Sequence, residues 1–232
     1  MTAPTVIVMA KECVPGRVKT RLHPPFTLEH AAQIARASLE DTIAAVGQVE
    51  ARRLLCVEGR IESMPGFEQI PQRGRGLDER IADVIDSVQG PFVLIGMDTP
   101  QLDPRLLQRL VSEWPSDVDA WFGPASDGGF WLLGLRDVEG LRDVEGTLGV
   151  GGRRGDLVRG VPMSKSDTGA VQRGRLRDAG LRVVDVAPLT DIDDVESLRT
   201  VKPELPEGSA LARLFEESRT LTAALGPSGE AD

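Results

Sequence analysis

The chain has 232 residues, a formal net charge of −9, 41% apolar residues and two cysteines. That length supports one large domain or two small ones around a full hydrophobic core. The acidic balance argues against wholesale nucleic-acid binding and no apolar run reaches the roughly 18 residues of a membrane span. Cys13 and Cys56 form neither a disulfide framework nor a zinc spacing.

The opening MTAPTVIVMAKE lacks the charged and long apolar regions of a secretory leader, so a reduced cytoplasm is the expected location. Residues 5–10, TVIVMA, are a continuous β-branched run suited to a strand buried on both faces. PGRVKTRLHPP, residues 15–25, follows at once, with Arg17, Lys19 and Arg21 at every second position and Lys11 just upstream. In an extended segment such residues point to one side and would present three cations to one anion. Gly16 permits close backbone approach and Pro15 stiffens the entry. A solvated basic turn is the alternative, but the position directly after a buried strand favours a diphosphate clamp. The stretch is not a Walker A loop, because the upstream glycine is missing, and no G-x-G-x-x-G occurs.

From Thr27 the pattern turns helical, with Thr27 as cap, Leu28, Ala31, Ala35, Leu39 and Ile43 on one face, and Gly47 as stop. RRLLCV (52–57) predicts a strand, GLDERIADVIDSV (76–88) an amphipathic helix, and PFVLIG (91–96) the clearest buried strand. DPRLLQRLVSEW (103–114) opens with Asp103 as N-cap and proline at the first helical position. DVDAWFG and GFWLLGL predict two strands around PASDGG, whose aromatics Trp121, Phe122, Phe130 and Trp131 are expected in the core. LRDVEG at 135–140 repeats at 141–146, either a loop duplication or a lid over an acceptor site. A helix over 166–180, the strand LRVVDV, a short helix after DIDD, one last helix over 208–225 and a loose tail complete the reading.

Alternating strands and helices predict an α/β layered domain with a mostly parallel sheet, in which ligands bind at the carboxyl ends of the strands. That rule puts loops 11–25, 97–103, 124–129 and 190–194 on one rim. Asp98, directly after a buried strand, is placed to hold a hard cation or simply to form a turn before Thr-Pro. Asp127 with Gly128 and Gly129 is either a tight hairpin turn or a second carboxylate beside a backbone that a ligand can approach. His23 and His30 have no partner pattern.

Together VIVMAKECVPGRVKTRL, QRGRGLDER, LIGMDTPQLDP, GPASDGGFWLLGL, VPMSKSD and LTDIDDVESL resemble the bacterial DUF2064 group of glycosyltransferase-A-like proteins over about residues 5–200. The resemblance implies a single-domain αβα sandwich over residues 1–202, the nucleotide-diphospho-sugar transferase fold, followed by a C-terminal helix and tail at 203–232. It implies that Lys11, Gly16, Arg17, Lys19 and Arg21 grip the phosphates, with Gly76 and Arg80 on the nucleotide side. Asp98 would take the place of the metal-binding aspartate of a D-x-D motif. Here the following residues are Thr99 and Pro100, so Asp127 or Asp193 is left to complete a Mg²⁺ or Mn²⁺ site. Gly128, Gly129 and Ser164 would face the acceptor. Met163 stands before Ser164 where the family often has tryptophan.

The expected function is a metal-dependent glycosyltransferase that takes a nucleotide-diphosphate sugar and a small-molecule acceptor, with Asp127 as general base. A nucleotidylyltransferase related to the molybdenum-cofactor and F420 guanylyltransferases is the alternative. A nucleotide-binding protein without turnover is the third reading.

Overall fold

The computed structural model describes residues 3–136 and 153–225. The duplicated segment beyond Arg136 and the expected tail at 226–232 lie outside these residues. Seven strands form one sheet: β1 (Thr5–Lys11), β2 (Arg52–Glu58), β3 (Glu68–Pro71), β4 (Phe92–Gly96), β5 (Ala120–Pro124), β6 (Phe130–Leu135) and β7 (Val183–Asp185). Their order is β3-β2-β1-β4-β6-β5-β7. All neighbours are parallel except β6, which runs against both β4 and β5. This is the expected α/β sandwich with a mostly parallel mixed sheet.

The alternation of side chains explains why the central strands read as continuous apolar runs. On β1, Val6, Val8 and Ala10 enter one core layer, while Ile7 and Met9 enter the other. On β2, Leu55 and Val57 oppose Leu54 and Cys56 in the same way. Helices α1 (Leu28–Gly47) and α3 (Pro104–Ser112) cover the first face, and α2 (Leu77–Ser87) and α4 (Thr168–Asp178) cover the second. Fully burying one such aliphatic side chain contributes about 1.5–3 kcal/mol, so both faces must be covered.

Local signals set the helix ends. Thr27 accepts a hydrogen bond from the His30 backbone N–H at 3.1 Å, and Asp103 accepts one from Arg105 at 2.8 Å. The helix α5 (Val195–Val201) starts at Asp194, which exchanges hydrogen bonds with Ser197. The last predicted helix is instead two, α6 (Ala210–Glu217) and α7 (Arg219–Leu225). The chain breaks at Ser218, whose backbone turns extended and whose hydroxyl accepts from Leu221 N–H. β3 was not anticipated: its four residues carry half-buried and exposed side chains and show no alternation. A third apolar cluster joins Leu22, Phe26 and the outer face of α1 to α5, α6 and α7. No helix among the described residues is long and apolar enough to cross a membrane.

Candidate active site at the carboxyl rim of the sheet

The carboxyl ends of β1, β2, β3 and β4 share one rim, and the loops that leave them enclose a cavity of about 1080 Å³. Lys11, Arg17, Lys19, Arg21, Arg80, Asp98, Asp127, Gly129, Ser164 and Asp193 all line it. Gly16, Gly76 and Gly128, expected in the site, are not among the residues that line it. Loops read separately in the sequence therefore converge on one place.

The basic loop is folded, not extended. Arg17 N–H donates to Val14 O at 3.0 Å across Pro15 and Gly16, and Gly16 has φ +77°. Proline second and a positive-φ glycine third make a type II turn. A 3-10 turn, Thr20–Leu22, follows, with Val18 and Leu22 buried as anchors. The expectation of a one-sided cation row is thus corrected: the turn and the 3-10 segment break the period of two. The Lys19 side chain is only 6% exposed, that of Arg21 is 74% exposed, and Arg17 is open to solvent.

Lys19 adopts a left-handed backbone, φ 50° and ψ 36°, which costs a non-glycine residue about 1–2 kcal/mol. Its ammonium lies 2.8 Å from Asp98 Oδ1 and 3.1 Å from Asp193 Oδ1, and Arg21 stands 3.9 Å from Asp193 Oδ2. Burial disfavours the charged ammonium, but the two carboxylates outweigh it and hold the Lys19 pKa above its ordinary value. The Asp98 loop is tied to the 190s loop, since Ile192 N–H donates to Asp98 O and Gln101 Nε2 donates to Thr190 O.

Between them lies Asp191. Its Oδ1 is buried without a hydrogen-bond partner. Burial first, then the negative charges of Asp98, Asp127 and Asp193, push its carboxyl up to about 7. Asp98 and Asp191 suit a divalent cation, because Mg²⁺ takes one or two protein carboxylates and completes its shell with substrate phosphates and water. Such an ion would give Asp191 Oδ1 the partner it lacks. Among the described residues no three His, Cys, Asp or Glu side chains are gathered as an ion-binding group by themselves.

On the β5–β6 side, Asp127 Oδ1 accepts the Gly129 N–H at 2.8 Å, the tight-turn geometry the Asp-Gly-Gly sequence favours. A Cβ on Gly128 would fall 1.9 Å from Ser166 O, so the missing side chain admits the chain's own segment at 164–169. Ser164, exposed and with φ 56°, forms part of the cavity wall there. Trp121, Phe122 and Trp131 are core residues, and Trp131 together with half-buried Phe130 also lines the cavity. On the β2–β3 side, Glu58 Oε2 receives Arg80 at 2.8 Å and Lys11 at 3.6 Å. Burial pushes the Cys13 thiol up to about 11 and the Cys56 thiol up to about 12, which leaves neither as a thiolate nucleophile.

Sequence reasoning missed Asp191 and Glu58 as cavity residues, while Gln72 and Leu77 lie in the QRGRGLDER stretch whose resemblance placed it on the nucleotide side. Asp191 was hidden inside an acidic run that reads as helix capping, and only Asp194 serves as the cap. Glu58 carried one signal, its place directly after the predicted strand over 52–57.

A family model described as "Uncharacterized protein conserved in bacteria (DUF2064)" matches residues 27–164. The chain belongs to DUF2064. Over 125 residues this DUF2064 chain is 30% identical to a 2-phospho-L-lactate guanylyltransferase from Methanocorpusculum labreanum, a match covering 54% of this chain and 57% of that protein. The chain thus spans little more than half the length of that relative. Its fold is shared with a candidate nucleotide-diphospho-sugar transferase from Desulfovibrio desulfuricans G20, with TM-score 0.78, 23% identity and 97% of each chain covered. It is also similar to CMP:2-keto-3-deoxy-manno-octonic acid synthetase complexed with CTP, with TM-score 0.53, 13% identity, and 94% of this DUF2064 chain and 100% of that one covered.

Proposed function

We propose that this protein is a nucleotidylyltransferase, transferring the nucleoside monophosphate of a nucleoside triphosphate to an oxygen of a small acceptor with release of pyrophosphate. The observation that carries this reading is the nearly buried Lys19 ammonium between Asp98 and Asp193 in the lining of a cavity at the strand ends. The guanylyltransferase relative and the CTP-bound synthetase support it, as proteins that act on or bind nucleotides.

In the reaction an acceptor oxygen bonds to the α-phosphorus, and the bond from that phosphorus to the α–β bridging oxygen breaks. Pyrophosphate leaves with the electron pair. Negative charge grows on the leaving group, and Arg17, Lys19 and Arg21 are the cations beside the loop that would take it up. A divalent cation held by Asp98 with Asp191 would supply further neutralisation of the phosphate charge. Lys19 then has two anionic partners to choose between, the aspartates or the triphosphate. When the acceptor is a hydroxyl, Asp127 is the carboxylate on the cavity wall available as general base. When the acceptor is already an oxyanion, no proton has to leave.

Glycosyl transfer is the second reading, favoured by the likeness to the candidate nucleotide-diphospho-sugar transferase, because the same loop would grip a leaving diphosphate. Product analysis separates the two. With nucleoside triphosphates, Mg²⁺ and a panel of small phosphate, carboxylate and hydroxyl acceptors, we expect pyrophosphate to form together with a nucleotidylated acceptor. Asp98→Asn should lower that rate by about 10²–10³-fold. Nucleoside diphosphate released from a nucleotide sugar, with no pyrophosphate from any triphosphate, would overturn the reading in favour of the second.

A further inference from the structure

The cavity has a second chemical end, over β2 and β3, which phosphate binding does not use. Gln72 directly follows β3 and its backbone N–H donates to Val57 O at 2.8 Å. Its side-chain Nε2 donates to Ala10 O at 2.9 Å and to Cys56 O at 3.1 Å. Carbonyl oxygens only accept, so both amide hydrogens are spent and the orientation of the amide is fixed. Oε1 is the atom left over, and it can only accept. Its neighbour is Glu58, because Val57 pairs with Pro71 and the next residue on each strand is Glu58 and Gln72. Glu58 gives Oε2 to Arg80 and Lys11 as the nearer oxygen, and Oε1 is its second acceptor. Beside them Leu77, at the first turn of α2, is 43% exposed, one of three large apolar residues exposed among those described. Gln72, Glu58 and Leu77 all line the cavity.

Two acceptors next to an apolar platform select the kind of ring that can fit. A flat heterocycle lays its face on Leu77 and turns its edge to the two oxygens. Of the four common nucleobases only guanine presents two adjacent donors on one edge, the ring N1–H and the 2-amino group. Cytosine and adenine each present a donor beside an acceptor, and uracil presents one donor flanked by two acceptors. Any of these would set an acceptor against Glu58 or Gln72 and leave a pair of oxygens unsatisfied, which is where discrimination comes from.

We propose that Glu58 and Gln72 form a guanine-selective base site, with Leu77 as its platform, so that the nucleotide held by this protein is a guanosine phosphate. The proposal rests on the nucleotide reading above and adds the identity of the base. The direction of the strands supports it: from β3 through β1 and β4 to β5 the rim passes from this base site, through Lys19 and Asp98, to Asp127 and Ser164.

The test is calorimetric titration of the full chain with GDP, ADP, CDP, UDP and inosine diphosphate in Mg²⁺. GDP should bind at least about tenfold more tightly than ADP, CDP or UDP, as two hydrogen bonds of ordinary strength predict. Inosine diphosphate differs from GDP only in lacking the 2-amino group and should bind about tenfold more weakly than GDP, without any change to the protein. In the variant of the pair Glu58→Ala and Gln72→Ala that removes the acceptor of the 2-amino group, the ratio of GDP to inosine diphosphate affinity should fall towards one, a readout that loss of packing alone would not move, while the other variant, which removes the acceptor of the ring N1–H, should weaken both ligands alike. Equal affinity for all the diphosphates, or preference for another base, overturns the guanine site and leaves the nucleotide reading standing. Failure of every diphosphate and triphosphate to bind overturns both.

Discussion

Lys19 and Asp191 carry the central electrostatics, and each makes its own prediction. Lys19 joins Asp98 and Asp193 and is nearly buried, so removing its charge leaves two carboxylates facing each other. Lys19→Met should cost about 1–2 kcal/mol of stability, moderated because both aspartates remain partly solvated. Excess Mg²⁺ should raise the melting temperature of the variant more than that of the natural protein, since the ion replaces the lost cation. Equal shifts in both would count against a shared cation position. Asp191 has its carboxyl raised to about 7 from an ordinary 3.8. The folded state therefore holds the proton more tightly than the unfolded chain. Stability from this group is complete below the unfolded value and is lost as pH rises from about 4 to about 7. Asp191→Asn should thus be close to neutral at pH 4 and stabilise the metal-free protein by about 2–4 kcal/mol at pH 8, measured by denaturant unfolding in chelator. A difference that is the same at both pH values contradicts the assignment. Neither behaviour was legible in the sequence. Basic residues two apart suggested a row, but the Pro-Gly turn and the left-handed Lys19 send one cation inward and leave the others at the surface. The burial of Asp191 depends on contacts between loops distant in the chain.

At the scale of elements, hydrophobic pattern and caps were readable wherever they were strong. β1, β2 and β4 announce themselves by uninterrupted apolar runs because both faces are covered, and α1 and α3 by a capping residue ahead of a periodic stripe. β3 was not readable, because it is short and none of its four side chains is fully buried. The break between α6 and α7 was also missed, since the apolar spacing runs through Ser218 while the backbone does not. The docking of α6 adds one buried polar residue on α1 to the apolar cluster that joins them. Asp41, only 8% exposed, accepts from Ala210 N–H at 2.6 Å and from Leu211 N–H at 3.0 Å. These are two of the unpaired donors at a helix start. Asp41→Ala should cost about 2–3 kcal/mol in urea unfolding, and Asp41→Asn less, because an amide keeps one acceptor. Turnover well below the melting temperature should be unchanged, as Asp41 does not line the cavity. A stability loss below about 0.5 kcal/mol would remove this contact from the account of how the C-terminal helices are held.

At the scale of the molecule, the strand order does the organising. Four parallel strands end on one rim, so loops separated by up to some 180 residues in the chain meet there, and the antiparallel β6 brings the Asp-Gly-Gly turn to the same side. The convergence of the basic loop, Asp98 and the Asp-Gly-Gly turn was legible from the rule that ligands bind at strand carboxyl ends. Which carboxylates pair with which cations was not, because it depends on loop conformation. The decisive experiment is a structure of the protein with Mg²⁺ and GTP carrying a methylene group in place of its α–β bridging oxygen. In it the base should lie on Leu77 against Glu58 and Gln72, the phosphates on the 14–21 loop, and the Lys19 ammonium on a phosphate oxygen. A nucleotide bound elsewhere, or Lys19 still held between Asp98 and Asp193 with no phosphate beside it, would contradict that arrangement.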